Sequence, residues 1–109
     1  MIVLEKISQA ELVLPFVKAA VDVEKGVLSL GCDLHIDCAE ELIQHGSASK
    51  NIWGFNIYPD HSLDFISLIN IRPSEGNRSM EIKDDKLQAI ISAIVKKFLP
   101  CPVGNDEKI

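Results

Sequence analysis

From Val17 to Val23 the odd positions Val17, Ala19, Val21 and Val23 are apolar, and from Leu28 to Ile36 the even positions Leu28, Leu30, Cys32, Leu34 and Ile36 are. Apolar residues at every second position describe strands with one face in a core and the other outside it. The change from odd to even is what an antiparallel hairpin demands, because it brings both apolar sets onto one face. With Lys25-Gly26 as a two-residue turn, Val23 faces Leu28, Val21 faces Leu30, Ala19 faces Cys32 and Val17 faces Leu34. A one-residue slip would send one set to the opposite face, so the pattern strongly constrains the pairing. Ser29, Gly31, Asp33 and His35 then occupy the other face.

The remaining elements follow in order. Residues 2–4 are short and β-prone, and Ser8-Gln9-Ala10-Glu11 reads as a capping box opening a helix that Pro15 cuts short near Leu14. Asp37-Cys38-Ala39-Glu40 reads as a second helix start, stopped by Gly46. A third strand over 52–58 places Trp53, Phe55 and Ile57 on one face, and a fourth over 63–72 does the same with Leu63, Phe65, Ile69 and Ile71. Asp84 or Asp85 caps a last helix carrying Leu87, Ile90, Ile91, Ile94, Val95, Phe98 and Leu99 at helical spacing, with Pro100 as its stop. The expected fold is α+β, in the order β-α-β-β-α-β-β-α, with two hairpins forming an antiparallel sheet packed with about three helices. One domain over 1–103 and a flexible tail over 104–109 are expected from the 109 residues.

Composition narrows the function. The formal net charge is −5 with scattered basic residues, which argues against nucleic-acid binding, since that rests on neutralising phosphates. No apolar run approaches the roughly 20 residues that span a bilayer, and the first residues lack a signal-peptide pattern. Cys32, Cys38 and Cys101 are odd in number and form no CxxC pair, which favours reduced thiols in a cytoplasmic protein. P-loop, GxSxG, HExxH and GxGxxG motifs are missing, so no cofactor is expected.

Chemistry concentrates in residues 68–79, Leu-Ile-Asn-Ile-Arg-Pro-Ser-Glu-Gly-Asn-Arg-Ser. Asn70, Arg72, Asn77, Arg78 and Ser79 make a donor-rich patch in an acidic chain. Guanidinium forks match the paired oxygens of carboxylate and phosphate, so a small anionic ligand is one reading. Even-with-even pairing of strands three and four brings Asn70 and Arg72 near Gly54 and Ile52, at the end where the loop carrying Ser47 and Ser49 enters. The other reading is that these arginines pair with the chain's own acids and that Asn77 shapes a turn. Asp33, His35 and Asp37 offer carboxylate and imidazole ligands at alternate positions. Lys18 opposite Asp33 and a capping duty for Asp37 account for two of the three, so no metal is expected. His35 and Asp33 are the candidates for acid–base work.

These segments carry a resemblance. Val21-Asp22-Val23-Glu24-Lys25-Gly26, Leu34-His35-Ile36-Asp37, Gly46-Ser47, Trp53 through Pro59 and Ile69 through Ser79 together resemble a family of small bacterial proteins of uncharacterised activity, about this chain in length. The likeness runs nearly to the last helix and departs in the first, which is shorter and holds Pro15. It implies no activity, cofactor or catalytic residue. Two classes of function stay open: a binder of a small anionic ligand, with or without hydrolytic or transfer chemistry, and a homodimeric interaction module. The second rests on strand four, where Ile66 and Leu68 make an otherwise polar face apolar.

Overall fold

Val17, Ala19, Val21 and Val23 do share a sheet face with Leu28 and Leu30 in the computed structural model, which describes residues 1–100, whereas Cys32 packs on the opposite face and Leu34 and Ile36 are exposed. Strands β1 (Ile2–Val3), β2 (Val17–Asp22), β3 (Val27–Leu30), β4 (Ile52–Ile57) and β5 (Leu63–Asp64) form one sheet in the order β1-β3-β2-β4-β5. Every neighbouring pair is antiparallel. Helix α1 (His35–Gln44) connects β3 to β4, and α2 (Asp85–Lys96) closes the fold. The expected tail over 104–109 lies outside the described residues.

Each face of the sheet has its own core. Val17, Ala19, Val21, Leu28, Leu30, Trp53, Phe55 and Ile57 pack against Ile91, Ile94 and Val95 of α2. Burying a side chain such as Phe55 contributes about 1.5–3 kcal/mol. On the other face Ala20 and Ile52 meet Cys38, Ala39 and Leu42 of α1. Small residues, Ala20, Cys38 and Ala39, make up much of that contact. Asp84 caps α2 through Oδ1, which accepts from the amides of Lys86 and Leu87.

Four local expectations are corrected. The first hairpin pairs Val21 with Leu28 and Asp22 with Val27, two positions from the expected register, so parity and face survive but the turn has four residues. Asp22 is the cause: its Oδ1 accepts from the amides of Glu24 (2.9 Å) and Lys25 (3.0 Å), while its carbonyl accepts from Gly26. Gly26 closes that turn at φ 68°.

The second strand stops at Leu30, and α1 begins at His35 rather than after Asp37. Asp37 caps from inside the helix, its Oδ2 accepting from the Leu34 amide. The first predicted helix is only a 3-10 turn, Gln9–Glu11, held by the Glu11 carboxylate on the Ser8 amide. The sheet is therefore packed with two α-helices instead of about three.

The fourth strand ends at Asp64. Asp64 Oδ1 takes the Ile66 amide and Ser67 Oγ takes that of Ile69, so two short polar side chains divert the backbone. A 3-10 turn, Leu68–Asn70, then lies over β4. Gly54 makes room for it: a Cβ there would sit 2.7 Å from Ser67 Cβ and 2.9 Å from Ile69 Cγ1. The space that its missing side chain leaves is filled by the chain itself.

Candidate functional site

Asn70 and Arg72 do come to Gly54 and Ile52, through their side chains. Asn70 is fully buried; its Oδ1 accepts from the Gly54 amide and its Nδ2 donates to the Gly54 carbonyl, both at 2.8 Å. The carboxamide thus imitates a peptide group of a neighbouring strand. Its Nδ2 also approaches the carbonyls of Met80 (3.1 Å) and Phe65 (3.4 Å). Arg72 continues the row, donating from Nη2 to the Ile52 carbonyl, from Nη1 to Lys50 O and from Nε to Ile69 O. The guanidinium carbon lies 4.2 Å from the Trp53 ring centroid, a cation–π arrangement.

The rest of the 68–79 patch divides. Arg72 and Asn77 face each other across Pro73-Ser74-Glu75-Gly76, with Gly76 at φ 84°. Asn77 Nδ2 donates to the carbonyls of Asn70 and Ser79, and Ser79 Oγ donates to Glu81 O. These contacts hold the turn. Arg78 is exposed. Ser47 is buried just past α1, its amide on Leu42 O. Neither lines the groove beside Arg72.

That groove, about 380 Å³, runs between α1 and residues 69–75. Ile36, Ile43 and Ile71 make its apolar wall, while Ser49, Lys50 and Arg72 supply donors at one end. Lys50 belongs to the loop that the sequence brings to this end, but its pairing with Arg72 has no motif to announce it. Burial pulls the Arg72 pKa down, and Glu75, which also lines the groove, pushes it back up. No carboxylate among the described residues forms an ion pair with Arg72. Three of its five N–H donors are engaged, so two remain.

His35 forms a second focus. Its Nε2 lies 2.8 Å from Asn56 Oδ1 and 3.0 Å from Phe55 O. Asn56 in turn donates from Nδ2 to Asp64 Oδ1 (3.2 Å), while Tyr58 donates its hydroxyl proton to Asp64 Oδ2 (2.9 Å). That orientation of the Asn56 amide makes both neighbours of Nε2 acceptors, which assigns the proton to Nε2 and leaves Nδ1 its lone pair when the ring is neutral. Desolvation lowers the His35 pKa most, and Lys18 adds to it; the bonds to Phe55 and Asn56 and the charge of Asp64 oppose it. The ring lines an apolar groove of about 430 Å³ with Phe16, Leu34, Ile66, Leu68 and Met80. Asn56 stands on the same face of β4 as Gly54, a position that sequence pattern marks as polar without revealing its partner.

Asp33 does not join His35 on a strand face. Lys18 Nζ reaches the Asp33 carbonyl oxygen at 2.9 Å. Among the described residues, the donors close enough to surround a metal are Cys32, Cys38 and Glu41. The two sulfurs are bonded to each other, which overturns the expectation of reduced thiols at these positions. Glu41 Oε1 accepts from the Met1 ammonium (2.6 Å) and Ser29 Oγ (2.5 Å), which lower its pKa. Parity reasoning could not foresee the bridge, because it carried the strand through Cys32, which lies beyond the strand's end at Leu30.

A five-stranded antiparallel sheet with one helix on each face, the stretch of β4 that β5 leaves unpaired being completed by an Asn and an Arg side chain, defines a small α+β domain. No helix among the described residues is long and apolar enough to cross a membrane. The chain belongs to a family of proteins of unknown function, DUF5674, whose model matches residues 2–98. No curated protein and no solved structure matches it.

Proposed function

We propose that this protein binds a small amphiphilic anion, a carboxylate or phosphate head on an apolar body, in the groove between α1 and residues 69–75. The observation that carries this reading is Arg72: a half-buried cation at the groove's end, without a carboxylate ion pair among the described residues and with two N–H donors to spare. Lys50 and Ser49 add donors beside it, and Ile36, Ile43 and Ile71 suit an alkyl or aromatic body. Compared with the wider patch of Asn70, Arg72, Asn77, Arg78, Ser79 and Ser47, the site contracts to Arg72 and gains Lys50 and Ser49. Calorimetric titration with octanoate and with octyl phosphate tests it. Lys50→Ala should weaken binding about tenfold, the effect of losing roughly 1.4 kcal/mol, while the melting temperature stays put. Failure of both probes to saturate the wild type, or equal affinity in the variant, would sink the idea.

A second reading rests on a different observation. Leu68 is 71% exposed and Leu34 57%, and with Ile66 and Met80 they line the adjoining apolar groove. Helix α1 leaves these residues uncovered, and a second copy of the chain is the occupant we infer, because two-fold pairing buries such a surface against itself. Sedimentation of the wild type and of Leu68→Lys decides. A dimer that becomes a folded monomer supports the contact, and a wild type that is monomeric at high micromolar concentration removes it.

A further inference from the structure

Cys32 and Cys38 differ in their surroundings although one bond joins them. Cys32, two residues beyond β3, is partly exposed and lines an open groove with Lys18 and Asp33. Cys38, in the first turn of α1, is wholly buried against Ala20, Leu42 and Ile52. An incoming thiolate therefore finds the Cys32 sulfur first. The leaving sulfur is Cys38, whose Sγ lies among apolar neighbours, 3.9 Å from the Lys18 carbonyl oxygen. Glu41 stands one turn further along the helix, with Oε1 3.6 Å from Cys32 Sγ and placed to accept a hydrogen bond from a Cys32 thiol.

The bridge also does little of the work of holding the fold. It joins residues six apart, so the loop it closes is short and constrains the unfolded chain less than a long one. Helix α1 is already seated on β2 and β4 by Ala39 and Leu42, and those two strands pair with each other along their whole length. Residues Leu34, His35 and Ile36 lie inside the bridged loop and wall the two grooves described above.

We propose that Cys32–Cys38 is a thiol–disulfide exchange site whose substrate is a dithiol. One thiolate of the dithiol attacks Cys32 Sγ; the Cys32–Cys38 bond breaks, and the bond's electron pair leaves with Cys38, which takes a proton from solvent. The second thiolate of the substrate then attacks its own sulfur in the mixed disulfide, releasing Cys32 as a thiolate that is protonated in turn. The substrate ends as a disulfide and the protein as a dithiol, with two electrons and two protons transferred. The exchange stands independently of the anion reading.

The test uses the full chain with Cys101→Ser, so that only this pair reacts. Folded protein is incubated in dithiothreitol redox buffers without denaturant, and its thiols are trapped with a maleimide and counted by mass. The expected result is reversible conversion between zero and two labels, with the reduced protein keeping its circular dichroism and melting cooperatively. In single variants exposed to oxidised glutathione, Cys38→Ser should form a mixed disulfide at Cys32 at least tenfold faster than Cys32→Ser forms one at Cys38. Resistance to reduction until denaturant is added, loss of the fold on reduction, or equal rates in the two variants would overturn the proposal.

Discussion

The imidazole of His35, on the first residue of α1, donates from Nε2 to Oδ1 of Asn56 in the middle of the sheet. Helix start and strand are thereby locked together by a titratable group. Folding depresses the His35 pKa below its ordinary value of 6.5. The unfolded chain then binds more protons than the folded one at mildly acidic pH. Stability from this site is complete above about pH 6.5 and is lost as pH falls towards the folded value. Lys18, which opposes protonation, and Asp64, which favours it, are the charges that act on the ring. Urea denaturation at pH 7, 6 and 5 should show this loss, and His35→Gln, which keeps a donor without a titration, should flatten that part of the profile. An unchanged slope in the variant would assign the acid sensitivity elsewhere.

Asn70→Ala should destabilise the protein by about 2–4 kcal/mol, because the Gly54 amide and carbonyl lose their partners in a buried site. Asn70→Asp should do no better. It keeps the acceptor for the Gly54 amide but turns a carboxylate towards three carbonyls. Arg78→Ala, by contrast, should lie within about 0.5 kcal/mol of wild type, as an exposed change does. Chemical denaturation of the three variants checks the order, and a neutral Asn70→Ala would refute the structural role given to the amide.

Gly54→Ala adds one methyl group and should still cost about 2 kcal/mol or more, since its Cβ would overlap Ser67 and Ile69. Combining it with Ser67→Gly removes the nearest obstruction but not Ile69, so a thermal melt of the double variant should recover only part of the loss.

Asp22 separates two kinds of substitution. Asp22→Ala removes the acceptor that organises the four-residue turn and should cost about 1–2 kcal/mol. Asp22→Asn retains Oδ1 and should be milder, since the other carboxylate oxygen has no partner to lose. Equal melting temperatures for the two variants would mean that the turn does not depend on the side chain.

The face of every strand residue in the first hairpin was legible because period-two patterning reports parity, and parity is unchanged by a shift of two. The register itself was not, because it depends on the Asp22 side chain capturing two amides, a contact that Lys25-Gly26 conceals. Similar physics hid the end of the fourth strand. Leu63 through Arg72 alternates well enough, yet Asp64 and Ser67 offer the backbone local acceptors that outcompete a ladder. Spacing places Asn70 and Arg72 beside Gly54 and Ile52, whereas the bonds they make there are invisible to it. Helix α1 begins earlier because Asp37 caps it from the third helical position, through the Leu34 amide, instead of from the position before the helix.

Gly54 and Ile52 have their outward main-chain groups occupied by the side chains of residues 70 and 72 instead of by another strand. A carboxamide and a guanidinium cannot pass pairing on to a further backbone, so the sheet terminates there as a matter of chemistry. If residues 66–72 lift away, the same groups become a template open to strands of other molecules, and the domain gains a route to polymerise through β4. The two polar side chains are thus terminators for the stretch of β4 that β5 does not reach.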